Sequence, residues 1–220
     1  MQVLIIGDSG GIGAALAAEA EARGAEVTGL SRSADGLDVT REDSVAAHLG
    51  ALEGEFDAIW VATGALEIGA HGPEKSLRDL DAGAFAAQFA LNATGPALLL
   101  KHGARLLPRD RPATFAALSA RVGSIGDNRA GGWYAYRASK AALNQIVRCA
   151  SIELGRTHRQ LVCVALHPGT VATPFTEKYL GRHPAVPPEE AARNLWSVVE
   201  DLTPEQTGRF FDWAGKDVAW

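Results

Sequence analysis

The sequence predicts a single α/β domain covering residues 1–220: one doubly wound parallel sheet of about seven strands, with helices on both faces. Three observations predict it. Short apolar, β-branched runs alternate with longer stretches of helical periodicity along the whole chain. The strand-like runs are almost continuously apolar, as strands covered on both faces are. The 220 residues suit one such domain, and no repeat, low-complexity tract or long linker divides them.

The elements follow in order. QVLII at 2–6 reads as a buried strand, and GIGAALAAEAEARG at 11–24 as a helix that Gly24 ends. AEVTGLS at 25–31 is a second strand and LDV at 37–39 a short third one. A helix over 41–52 precedes a fourth strand, FDAIWVA at 56–62. The long helix over 81–107 contains Gly95 and Pro96, which predicts a kink or a split. ATFAALS at 113–119 is a fifth strand, 134–154 another long helix, and LVCVALH at 161–167 a sixth strand. Pro187, Pro188 and a glutamate-rich first turn open a helix running to 201. GRFFDW at 208–213 is the last strand.

Composition removes several function classes. Hydrophobic residues are 47% and charged residues 21%, and the net charge of −5 argues against a phosphate-tracking nucleic-acid binder. The apolar run VLII lacks a basic flank and meets glycine at once, so it reads as a strand and not a signal peptide. No apolar run approaches the ~20 residues a membrane helix needs. Six histidines are scattered without ligand-like spacing, so no metal is expected. Cys149 and Cys163 sit in apolar helix or strand context and read as reduced core residues, which suggests a reducing, cytoplasmic setting.

Two stretches carry chemistry. Gly7-Asp8-Ser9-Gly10-Gly11-Ile12-Gly13 joins the first strand to the first helix. A glycine-rich turn there lets backbone approach a pyrophosphate, which the free N–H groups and positive dipole end of the helix attract. Gly7, Ser9, Gly11, Ile12 and Gly13 are therefore candidate cofactor contacts, with a plain tight turn as the alternative. The second strand ends Leu30-Ser31-Arg32, with no acid for two ribose hydroxyls. Arg32 can instead meet a 2′-phosphate, which favours NADP(H) while leaving NAD(H) possible. Asp8 is discordant beside phosphates unless it faces a ribose hydroxyl. In YAYRASK at 134–140, Tyr136 and Lys140 are four apart and share a helix face. The pair reads either as a phenol acid tuned by an ammonium, which would lower the phenol's pKa, or as a solvated helix start.

Taken together, Gly7-x-x-x-Gly11-Ile12-Gly13 and Tyr136-x-x-x-Lys140 resemble the short-chain dehydrogenase/reductase family, a Rossmann-type fold, over nearly the whole chain. Asp38-Val39 resembles its adenine-contacting pair, Asn92-x-x-Gly95 its active-site asparagine motif, and Pro168-Gly169-x-Val171-x-Thr173 its nicotinamide-holding loop. The stretch from Gly123 to Asn144 and the end from Gly208 are most similar to the C-factor-like and sniffer-like carbonyl reductase branch. The resemblance implies that Tyr136 is the acid/base, that Lys140 also holds the nicotinamide ribose, and that Asn92 positions a water. Tyr134 is then packing or pocket wall, and Arg137 a surface or subunit-contact residue. A homodimer or homotetramer through the helices around 82–106 and 134–154 is expected in the same way.

Three positions depart from the family pattern. Ile6 stands where a threonine opens the glycine motif. Val61-Ala62-Thr63-Gly64 replaces Asn-Asn-Ala-Gly, keeping only Gly64 as a cofactor contact. Ala120, in Ser119-Ala120-Arg121-Val122-Gly123, aligns with the catalytic serine. Ser119 or Ser124 would have to replace that donor, although neighbouring strand residues point to opposite faces. The substrate loop, a lid over 174–187, mixes Phe175, Tyr179 and Leu180 with Glu177, Lys178, Arg182 and His183. Trp133 and residues 129–132 are expected at the pocket mouth. The leading expectation is hydride transfer between NADP(H) and a small carbonyl or alcohol substrate. The alternative is an NAD(P)-binding signalling or sensor protein with little turnover, which Ala120 supports.

Overall fold

The computed structural model describes residues 1–69, 72–174, 176–179 and 184–220. Its framework is a six-stranded, wholly parallel sheet. In chain order the sheet and its main helices are β1 (Gln2–Ile6), α1 (Gly11–Ala22), β2 (Glu26–Leu30), α2 (Arg32–Asp35), α3 (Glu42–Gly50), β3 (Ala58–Val61), α4 (Ala82–Phe89), α5 (Gly95–Gly103), β4 (Ala113–Leu118), α6 (Tyr134–Leu154), β5 (Leu161–His167), α7 (Pro188–Asp201) and β6 (Phe210–Asp212). The strands lie in the order β2-β1-β3-β4-β5-β6, so the chain reverses its direction of growth between β1 and β3. The crevice at the carboxyl ends of the strands beside such a reversal is where ligands bind in open α/β sheets.

Alternation along each strand divides the core into two layers. Val3, Ile5, Trp60 and Ala116 face one way and pack on Leu16 and Ala20 of α1 and Leu195, Trp196 and Val199 of α7. Leu4, Ile6, Ile59 and Phe115 face the other way, onto Val45 and Leu49 of α3, Leu99 of α5 and Leu143 and Val147 of α6. Trp60 and Trp196 are fully buried with ring centroids 4.9 Å apart.

Two expectations are corrected. Residues 37–39 are not a strand, so the sheet has six strands rather than seven. Their donors are used locally: Leu37 N–H bonds the Ser31 carbonyl, Asp38 N–H the Ser44 hydroxyl, and Thr40 N–H the Asp38 carboxylate. Those donors are thereby withheld from a ladder with β2, while Leu37 and Val39 still bury their side chains. The residues between β2 and that segment form α2. Cys149 is exposed, and only Cys163 is a core thiol; both are free. The predicted split of the 81–107 helix takes the form of a π turn, Ala90–Thr94, between α4 and α5. The widened turn leads into Pro96, whose nitrogen cannot donate in a regular helix.

Among the described residues no helix is long and apolar enough to cross a membrane, and no cluster of His, Cys, Asp or Glu could hold a metal ion.

Candidate active site

Two cavities, of about 390 Å³ and about 590 Å³, lie along the carboxyl ends of the strands. Both are lined by Ser9, Gly10, Ala62, Thr63 and Gly64, which makes them two lobes of one cleft. The smaller lobe brings together Gly11, Ile12, Gly13, Tyr136, Lys140, Pro168, Gly169, Val171 and Thr173. The larger brings together Gly7, Arg32, Asp38 and Val39. Apart from Asn92 and Ser124, every residue singled out above for cofactor or catalysis therefore lines the cleft.

The residues present fit a dinucleotide. Gly10 precedes α1 with no side-chain cap, and the first turn of the helix carries no acid, so its N–H groups are left to meet an anion. A Cβ on Gly13 would lie 2.1 Å from the Gly7 carbonyl oxygen, so only glycine lets the helix start pack this closely on the turn. Asp8 does not line either lobe. Its carboxylate lies against β2, where a Cβ on Gly29 would meet Oδ2 at 2.1 Å. That removes the charge conflict raised by the sequence. In the outer lobe Arg32 opens α2, and Asp38 accepts from the Thr40 hydroxyl at 2.6 Å. The Thr40 hydrogen bonds, helped by the Arg32 and Arg41 charges, hold the Asp38 carboxyl below its usual range.

Tyr136 and Lys140 sit on the inner face of α6, with the Lys140 Nζ 6.0 Å from the phenol ring centroid. Nζ donates to the Leu118 carbonyl at 2.9 Å. Burial acts on both groups. It pushes the Lys140 ammonium down to about 8 and the Tyr136 phenol above its ordinary value. The expected lowering of the phenol by its neighbour is therefore not what this structure displays: desolvation outweighs the ammonium.

Asn92 sits in the π turn, fully buried. Its Oδ1 accepts from Ala65 N–H at 3.1 Å, and its Nδ2 donates to the Ala65 carbonyl at 2.9 Å and to Gln88. The side chain thus fixes the turn after β3. A Cβ on Gly64 would stand 2.9 Å from Asn92 Oδ1 and 3.3 Å from Lys140 Nζ, which explains why this one glycine of the altered family signature is kept. Thr63 Oγ1 in that segment is buried without a partner among the described residues.

The two serines offered in place of Ala120 are both engaged. Ser119 lines the inner lobe, but its hydroxyl donates to Asn144 Oδ1 at 2.6 Å. Ser124 accepts from Asp127 N–H at 3.0 Å and does not line the cleft. Trp133, expected at the mouth, is not a wall of either lobe; it takes a left-handed conformation (φ 54°) and packs edge-on to Tyr136. Arg137, half-buried, ties a loop by donating to the Gly132 and Val122 carbonyls at 3.0 and 3.2 Å. Of the segment expected to be a lid, Thr176 lines the inner lobe and Lys178 pairs with Glu67. Phe175, Leu180, Arg182 and His183 lie outside the described residues.

Sequence reasoning missed three contributors. Glu74 caps α6 from a distant loop: its carbonyl accepts from Trp133 N–H at 2.6 Å and its carboxylate from Ala135 N–H at 3.3 Å. Gln88 joins Asn92 to the Leu66 carbonyl. His167 lines the inner lobe at the end of β5, and its position directly before Pro168-Gly169 was the available signal.

Residues 6–209, which include the glycine turn and the Tyr136/Lys140 pair of the cleft, match the family described as enoyl-(acyl carrier protein) reductase. The chain belongs to the short-chain dehydrogenase/reductase family. A dehydrogenase/reductase relative, 1-hydroxy-2-glutathionyl-2-methyl-3-butene dehydrogenase of Rhodococcus sp., is 32% identical over 99% of each chain. C-signal of Myxococcus xanthus is 37% identical over 73% of this chain and 96% of its own. Among solved structures, a short-chain dehydrogenase/reductase from Burkholderia multivorans with bound NADP superposes with a TM-score of 0.81 at 25% identity, covering 100% of this chain and 99% of that one. A carbonyl reductase from Pseudomonas aeruginosa has a TM-score of 0.78 at 26% identity, with the same coverage.

Proposed function

We propose that this short-chain dehydrogenase/reductase catalyses NADPH-dependent reduction of a small carbonyl compound, with Tyr136 as the proton donor. The observation that carries the reading is the meeting, in one cleft, of the glycine turn with Tyr136 and Lys140. A bound reduced nicotinamide would supply the hydride. Tyr136 gives its proton to the carbonyl oxygen as charge develops there. Burial favours the protonated phenol, the form from which a proton donor starts. Lys140, still an ammonium at pH 7, holds the nicotinamide ribose and returns a proton toward Tyr136. Asn92 serves through its main chain, since its side-chain amide is committed to Ala65 and Gln88. Arg32 holds the 2′-phosphate, and Asp38 and Val39 the adenine. Residues 174–187 act as the lid. An alcohol–carbonyl pair as substrate accords with what the Rhodococcus and Pseudomonas relatives are called.

The same reading carries a homodimer or homotetramer built on α5 and α6, where Ala97, Leu100, Ile146 and Leu154 line an outer groove, and a reducing, cytoplasmic setting. A sensor that binds NADP(H) with little turnover is the second reading, favoured by Ala120 and by the likeness to C-signal. Following NADPH oxidation across aldehydes, ketones and quinones tests the two. Turnover of at least one class supports the reductase; tight NADPH binding with no turnover of any supports the sensor.

A further inference from the structure

We propose that His167 donates the hydrogen bond to the reacting carbonyl oxygen that alanine at position 120 cannot give. The inference rests on the reductase reading and adds a residue to it. His167 ends β5, beside Ser119, whose N–H bonds the Leu166 carbonyl at 2.7 Å, and opposite Asp212 of β6. His167 lines the inner lobe together with Ala120 and Tyr136. Three other side-chain donors of that lobe are already engaged. The Ser119 hydroxyl goes to Asn144, the Thr176 hydroxyl to the Val171 carbonyl, and Lys140 Nζ to the Leu118 carbonyl. Thr63 and Ser9 belong to the stretch shared with the nucleotide lobe.

The chemistry of the ring supports a donor. Burial and the Arg121 charge, opposed by Asp212, push the imidazole down to about 4, so it is neutral at pH 7. A neutral imidazole has one N–H and one lone pair. Nδ1 is buried with no partner among the described residues. A buried unpaired acceptor is tolerated better than a buried unpaired N–H. That favours the tautomer protonated on Nε2, which leaves Nε2–H as the group for the cleft. During reduction by NADPH the carbonyl carbon takes hydride, the π pair moves onto oxygen, and that oxygen takes the Tyr136 proton. His167 keeps its own proton and stabilises the charge in transit, as an oxyanion donor does.

The test uses the carbonyl compound that the wild-type protein reduces best with NADPH. His167→Leu should lower kcat by about 10²–10³-fold, the usual effect of losing one such donor, with NADPH affinity unchanged. His167→Gln, which restores an N–H, should recover part of the loss. Ala120→Ser placed in the His167→Leu background should recover activity too, because it supplies the donor from the neighbouring position. Thermal unfolding of each variant separates a folding defect from a chemical one, and the Gln variant decides if the Leu variant fails to fold. Wild-type kcat in His167→Leu, a loss of NADPH affinity equal to the loss of activity, or no recovery with Ala120→Ser would each overturn the proposal. A wild-type protein that binds NADPH but reduces no carbonyl would overturn the reductase reading itself, and this inference with it.

Discussion

Replacing Gly13 with alanine puts a methyl carbon 2.1 Å from the Gly7 carbonyl oxygen, 2.8 Å from the Gly7 carbonyl carbon and 3.1 Å from the Asp8 Cα. Non-bonded carbon contacts settle near ~3.5–4.0 Å, so α1 must move by more than about 1 Å against the turn. All three neighbours are backbone atoms, and none can rotate aside. Helix propensity works in the other direction, because alanine in a helix is worth about 1 kcal/mol over glycine. Overpacking of this severity costs typically about 1–3 kcal/mol or more, and here it also unseats the buried Leu16 and Ala20. With backbone contacts this short the cost lies at the upper end of that range, about 2–3 kcal/mol, so the steric term wins, for a net loss of roughly 1–2 kcal/mol. Urea unfolding reads it: with a slope of about 2 kcal/mol per molar, the midpoint falls by about 0.5–1 M. Fluorescence titration with NADPH should show weakened binding as well, since the displaced turn is the proposed pyrophosphate cradle. Gly50→Ala is the control, because a Cβ there meets nothing within 4 Å. That variant should be as stable as wild type or slightly more so, with NADPH binding unchanged. Wild-type midpoint and NADPH affinity in Gly13→Ala would refute the reasoning.

Arg32→Ala should weaken NADPH binding by about 10–100-fold, the worth of one charge-assisted contact, and leave NADH binding nearly unchanged; equal losses for both cofactors would remove Arg32 as the selector. Lys140 gives a pH signature in activity: kcat/KM for reduction should fall as pH rises through about 8, where the ammonium is lost, and a Lys140→Met profile should lack that limb. It gives a second signature in stability. The folded-state value lies below the ordinary 10.5, so between about 8 and 10.5 the unfolded chain binds more protons and this group's contribution to stability rises with pH. The stability advantage of Lys140→Met over wild type should therefore shrink across that window, by an amount of order 3 kcal/mol when complete. A constant difference would mean that the ammonium is not desolvated.

Much of this architecture is legible along the chain because its signals are local. Pro187, Pro188 and the acids at 189 and 190 mark the start of α7, and the bounds predicted for α6 are those observed. The glycine turn and the Tyr136/Lys140 spacing pointed to the cleft because each needs only a short stretch in a known setting. What escaped depends on partners far apart in sequence. Residues 37–39 look like a strand until Ser31 and Ser44 are seen to take their donors. Ser119 looks available until Asn144, 25 residues on, is found bonded to it. The balance at Tyr136 is of the same kind: spacing reveals the ammonium, but only the packed structure reveals how far both groups are removed from water. His167 escaped because an isolated histidine at a strand end reads as core.

The most direct test of the account compares wild type with Tyr136→Phe in NADPH-dependent reduction of the best carbonyl substrate, with NADPH affinity measured on both. The substitution removes one oxygen and its proton and leaves the ring in place. The account predicts NADPH binding close to wild type and a fall in kcat of about 10²–10⁴-fold, the range that a general acid contributes. Wild-type turnover in Tyr136→Phe would contradict it, because the proton delivered to the substrate oxygen would then come from elsewhere.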